Sequence, residues 1–262
     1  MFSLARTIES PLHLLPELKQ RVRSRFKTCP VRALLSTWKQ AELIVKSRAS
    51  ENDGLGQVLN WITNVVAKPH AELGRQGSVC PFLPRALKAE SLFFHELHID
   101  GSTSIDEIDE MIQDYAEVFA NTAPTSGKAR LNKAIVLIFP SLADEDAIQL
   151  IEETQRRLKP FFVERGLMLG EFHKNHQGEG IRNPAFRPLQ SPMPLLVVRH
   201  LIPSDLLFLV RKSDSASRRV HFLQSFLSIY QDDLLAQTEQ EARAALDEAL
   251  EELAQSTTKM AL

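Results

Sequence analysis

Lys133-Ala134-Ile135-Val136-Leu137-Ile138-Phe139 sets six consecutive apolar residues behind a single lysine. The run has the length of a strand, not a helix. It shows no polar alternation, so both of its faces meet protein, which reads as a central strand buried on two sides. Working outward, Ser104-Ile105-Asp106-Glu107 is a capping box that opens a helix with Ile105, Ile108, Ile112, Tyr115 and Phe119 on one face. Upstream of that helix, residues 92–99 (LFFHELHI) are rich in strand formers. Downstream of the central run, residues 144–165 read as one helix with a kink at Pro160 and an end at Gly166. Residues 167–173 and 195–201 read as two further strands, separated by a loop rich in Gly, Asn and Pro. Short helical segments follow from Ser204, then over residues 220–227 and 234–253. The order β-α-β-α-β-β-α predicts an α+β fold with a mixed central sheet and an antiparallel last strand pair. The same order matches a thioredoxin-type core lacking Cys-x-x-Cys, which predicts a cis Pro194 before the last strand.

The first 70 residues read as helical, from Leu14, Leu15, Leu18, Val22 and Phe26, and again from Leu34, Leu35, Trp38, Leu43 and Val45. A polar break over residues 47–56 precedes a short apolar helix over residues 58–67, ended by Lys68-Pro69. This divides the chain into a helical N-terminal extension (1–74), an α/β core (75–230) and an acidic C-terminal helix (231–262).

The 262 residues carry 31 Lys+Arg against 33 Asp+Glu, and 44% are apolar, so collagen-like, disordered and disulfide-scaffold chains are excluded. The near-zero charge is a sum of opposed ends. Residues 1–50 hold ten bases against three acids, and residues 231–262 eight acids against two bases. The one aromatic residue within the basic run Lys19–Lys27, Phe26, belongs to the apolar helical spacing, so no nucleic-acid surface is expected. Association of two copies through the terminal helices is the expected partnership. Two cysteines, Cys29 and Cys80, suit a reducing compartment. No apolar run spans a bilayer and no leader is legible, so the chain is expected in a bacterial cytoplasm.

Eight histidines include two His-x-x-His pairs, His95/His98 and His173/His176. On a strand, residues three apart point to opposite faces, which argues against joint ligation by His95 and His98. Glu171 and His173 lie two apart on a strand and share a face. If residues 195–201 pair antiparallel beside them, His200 or Arg199 faces the same space. Glu171, His173 and His200 then resemble the two-His, one-carboxylate set of ferrous iron. The loop over residues 178–194 contains Pro184, Pro188, Pro192 and Pro194 and is stiff. It presents Asn183 and Phe186 as substrate contacts, and Arg187, with Arg199 on the following strand, as an anion clamp, unless Arg187 caps loop carbonyls instead. Cys80, in a Cys-Pro-Phe turn, reads as a buried thiol or a thiolate ligand. There is no Gly-x-Gly-x-x-Gly, Walker loop, Gly-x-Ser-x-Gly elbow or zinc-ribbon spacing, so the common nucleotide-binding and hydrolase classes lose support.

Five motifs stand in order: Gly77-Ser-Val-Cys-Pro-Phe82, Gly170-Glu-Phe-His173, Asn183-Pro-x-Phe-Arg-Pro188, Ser191-Pro-x-Pro-Leu195 and Arg199-His-Leu201 running to Leu209. Over residues 75–210 the chain resembles an uncharacterised bacterial domain family with these motifs, which implies no activity. More distantly it is similar to YqcI/YcgG-type proteins, some of them haem-dependent oxygenases. That likeness implies a haem with His173 or His200 as axial ligand, Arg187 or Arg199 at the propionates, and Cys80 in the cofactor-bearing turn. The leading expectation is therefore an iron-dependent oxygenase or oxidase acting on a small metabolite of specialised biosynthesis, with haem before mononuclear Fe(II). The alternative is a non-catalytic accessory protein that binds no cofactor.

Overall fold

The computed structural model describes residues 39–40, 54–99 and 101–260. The helix read over residues 14–26, the basic run, His13 and Cys29 lie outside the described residues. The strands are β1 (Lys39–Gln40), β2 (Leu92–Glu96), β3 (Ala134–Ile138), β4 (Leu167–Phe172) and β5 (Leu195–His200), in the sheet order β1-β2-β3-β5-β4. β2 and β3 run parallel, and every other pairing is antiparallel, including β4 with β5. The sheet is thus mixed, as the element order implies.

The helices are α1 (Gly54–Trp61), α2 (Leu83–Lys88), α3 (Ile105–Asn121), α4 (Asp144–Ala147), α5 (Glu153–Glu164), α6 (Leu206–Leu209), α7 (Ala216–Tyr230) and α8 (Ala236–Met260). They cover both faces of the sheet, which is why β3 is apolar throughout. Ile135 and Leu137 pack with Ile108, Ile112 and Phe119 of α3 and Phe162 of α5, whereas Ala134, Val136 and Ile138 pack with Leu55, Val58 and Leu59 of α1. The α1 helix, which the sequence places in the extension, therefore lies directly on the sheet. A third cluster joins Val163, Met168, Phe222, Leu223 and Phe226 beneath α7 and α8. Acids of α8 are used within the same chain: Lys212 meets Glu248 at 2.8 Å and also Glu252, which pairs with Arg219 as well.

The capping box holds. Ser104 Oγ accepts the Glu107 N–H, and the Glu107 carboxylate accepts the Ser104 N–H at 3.0 Å. Three expectations change. Lys39–Gln40 is a strand, not helix, because its backbone pairs with the otherwise open edge of β2 at Phe93 and Phe94. The helix read over residues 144–165 is broken by a π turn, Ile148–Glu152, between α4 and α5. Pro160 sits inside α5, and the carbonyl its missing N–H leaves open, that of Arg156, accepts from Arg218 Nη2 at 2.6 Å. The cis peptide among the described residues is Ala123–Pro124, so the cis Pro194 of a thioredoxin-type core is not found. Among the described residues no helix is long and apolar enough to cross a membrane.

Candidate metal centre

The π turn lies beside the end of β4. A π turn lodges one extra residue and displaces the side chains that follow it, and here it delivers Glu152 to the strand end. Leu167 and Leu169 of β4 face the α3/α5 side, so Glu171 faces the same side by the two-residue period of a strand. His173 follows two residues on. It is 1% exposed, and its Nε2 lies 2.8 Å from Glu152 Oε1. The chain then turns sharply, with the His176 N–H bonded to the His173 carbonyl at 3.2 Å, and the two imidazoles come to rest with centroids 5.0 Å apart. His176 is 7% exposed, and its Nε2 lies 3.4 Å from Glu171 Oε1.

One donor atom from each of Glu152, His173 and His176 falls within 4.8 Å of the others. Two ligands of a single ion, each about 2.1 Å from it, stand roughly 3 Å apart. The Glu152–His173 approach is close to that spacing. His173 Nδ1 and His176 Nε2 are buried with no hydrogen-bond partner. An unsatisfied buried polar atom costs about 1–3 kcal/mol, and an ion held through the His173 nitrogen that faces Glu152 would relieve His176 Nε2. Glu152 and His176 line an open cleft of about 500 Å³, together with Ile148, Gln149, Glu171 and Arg156.

Of the residues singled out from sequence, Glu171 and His173 belong to this neighbourhood, but His200 does not. β4 and β5 are antiparallel as expected, yet the register sets His200 opposite Leu167 and Leu196 opposite Glu171. His200 thus occupies the correct face at the wrong end, roughly 13 Å from Glu171 along the strands at ~3.3 Å per residue. It packs edgewise on Phe119. Arg199 points to the opposite face, where Asp205 holds it with two hydrogen bonds of 2.7 Å. Burial would pull Arg199 down, and Asp205 offsets this, leaving it above its ordinary value. Arg187 caps the carbonyls of Pro184 and Phe186 within its own loop. Asn183 donates to the Glu72 carbonyl at 2.8 Å, and Phe186 stacks on His70 at 4.7 Å. The Pro-rich loop is therefore docked on residues 70–72. Cys80 is a half-buried free thiol against the α1 side of the sheet. His95 pairs with Tyr115 and His98 with Ser141, so that motif is divided as strand geometry requires.

Glu152 and His176 complete the cluster, yet neither stood among the ligand candidates read from sequence. The 173/176 spacing was the available signal for His176. Glu152 had none, because helical periodicity does not reveal a π turn.

The other end of the sheet gathers bases whose protonation burial disfavours. Burial first, then Arg130 and Lys133, lowers His200 from 6.5 to about 4. Burial also lowers Lys133 to about 8, and its Nζ caps α3 by donating to the carbonyls of Phe119 (2.6 Å) and Thr122. A base with a depressed folded value binds its proton more readily when unfolded, so stability rises with pH between the two values. For His200 that window is pH 4 to 6.5, and for Lys133 about 8 to 10.5. Urea unfolding of the wild type should gain about 1–2 kcal/mol more than His200→Asn across pH 4 to 6.5, after allowance for partial exposure. Equal slopes would show that His200 is not shielded from protonation in the fold.

No curated protein and no solved structure matches the chain. Residues 55–243 match a family model, and the match begins at α1 and ends in α8.

Proposed function

The chain belongs to the family described as Domain of unknown function (DUF6875), and since that membership names no activity, we propose from the cleft chemistry that it is a metal-dependent enzyme of mononuclear non-haem type. Glu152, His173 and His176 are its ligands, and its substrate is a small metabolite admitted by the cleft. The observation that carries this reading is the convergence of two buried imidazoles and a carboxylate within 4.8 Å at the wall of an open cleft. Two His and one carboxylate with open positions suit ferrous iron. A bound ion supplies Lewis acidity and free coordination sites for substrate. The haem reading has less support, because its arginines are engaged inside the protein and His200 lies away from His173.

Gly178 packs against the His176 ring so closely that a Cβ there would meet its Cε1 at 2.7 Å. The Gly178 N–H donates to His176 Nδ1 at 2.8 Å, which places the proton of a neutral ring on Nε2. Ligation through Nε2 would require that proton on Nδ1 instead, in place of the Gly178 contact. Anaerobic dialysis against Fe(II), Mn(II) or Zn(II), then desalting and elemental analysis, should leave about one equivalent per chain, and the Gly178 amide resonance should shift on loading with Zn(II). Retention below about a tenth of an equivalent for all three ions would overturn the proposal.

A further inference from the structure

The Pro-rich loop leaves the ligand turn at Gly178 and returns to it at Ser191. At the outgoing end the Gly178 N–H donates to the His176 ring at Nδ1. At the returning end the Ser191 N–H donates to the His173 carbonyl at 3.4 Å and Gln190 Nε2 to the His176 carbonyl at 3.3 Å, so this limb grips backbone and not the rings. The middle of the loop is docked on residues 70–74. Asn183 Nδ2 donates to the Glu72 carbonyl and Phe186 stacks on His70. Gly74 lies so near that an added Cβ would meet Arg182 Cβ at 3.0 Å. Two backbone bonds tie this dock to the outgoing limb: the Phe186 N–H meets the Asn183 carbonyl at 3.0 Å, and the Gly180 N–H meets the Phe186 carbonyl at 2.8 Å. Gly180 stands two residues from the amide that touches His176, and the fixed φ of Pro184 and Pro188 stiffens the span between dock and turn.

We propose that this loop is a latch on the metal site: docked on residues 70–74, it keeps His176 Nδ1 occupied by the Gly178 amide, and an ion is held only as that amide withdraws. Asn183 is the positioning residue of the latch. The consequence for the ion rests on the metal reading of His176, whereas the latch itself rests on the loop contacts. Ligation through either ring nitrogen is incompatible with the Gly178 contact. An ion at Nδ1 takes the lone pair that accepts the Gly178 N–H. An ion at Nε2 needs the proton of the neutral ring on Nδ1, where two donors would face each other at 2.8 Å. The free energy that docks the loop therefore opposes loading, and by linkage a bound ion loosens the dock to the same degree. A loop that merely braced a ligand would carry the opposite sign, since loosening it would weaken the ion.

Isothermal titration with Zn(II) and amide hydrogen exchange at Gly178 in the metal-free full chain read the two ends of the latch. Asn183→Ala should raise Zn(II) affinity by about three- to tenfold, the weight of one neutral hydrogen bond, and speed Gly178 exchange by a similar factor. His70→Ala alters no loop residue and should move both readouts in the same direction, which guards against misreading a misfolded loop in the first variant. Ile181→Ser, at a loop position 61% exposed, should move neither. A Zn(II) affinity unchanged or lowered in folded Asn183→Ala, or Gly178 exchange indifferent to both Asn183→Ala and His70→Ala, overturns the proposal. A wild type that retains no ion overturns the metal reading alone, because Gly178 exchange in the metal-free protein still reports whether the dock holds that amide.

Discussion

Asp205→Ala will lower the unfolding free energy by about 3–5 kcal/mol, the expected cost of leaving one member of a buried ion pair without its partner. Asp205 is 1% exposed and accepts both Arg199 hydrogen bonds as well as the Ile202 N–H at 2.8 Å. Its removal strands a guanidinium against Phe82 with no counter-charge. The double variant Arg199→Met/Asp205→Leu should recover most of that loss, because two apolar groups of similar size leave no charge to desolvate. Urea unfolding of the three proteins is the measurement. A cost below about 1 kcal/mol for Asp205→Ala would mean that Arg199 is satisfied elsewhere, and its role as an anion anchor would return. The double variant should also retain the ion, since Arg199 lies on the other face of the sheet from Glu152 and His173.

His173→Ala is the second large effect. It removes the most buried of the three proposed ligands and leaves Glu152 without its contact to the His173 ring. Affinity for the ion should fall by about 100- to 1,000-fold, beyond the 10- to 100-fold typical of losing a supporting residue rather than a ligand. Isothermal titration with Zn(II) reads this, with circular dichroism confirming that the fold persists. An unchanged affinity in a folded variant would remove His173 from the ligand set.

Much of the scaffold was legible. Lys133–Phe139 announced its place by apolarity on both faces, and the capping box at Ser104 located a helix start because both partners are local. Glu171 and His173 could be put on one face because the strand period is two. The register could not be read. Antiparallel pairing of β4 with β5 was expected, but whether His200 or Leu196 stands opposite Glu171 depends on how far the intervening loop displaces one strand along the other. Similarly, Arg199 looked available in sequence, where Asp205 cannot be seen to meet it, whereas for Arg187 the capping of loop carbonyls was one of the two readings left open and is the one found.

The amino-acid sequence by itself determined the four longer strands, the capped start of α3 and their order along the chain, because these follow from periodicity, caps and breakers within a few residues. Only the tertiary structure decided which ends of those elements meet. Glu152 reaches His173 because a π turn is accommodated where α4 and α5 pack beside β4. His176 reaches both through a turn after the strand rather than along a helix. Such encounters join residues about twenty positions apart and depend on packing that no local propensity encodes, which is why the cluster emerged from the fold and not from the motif.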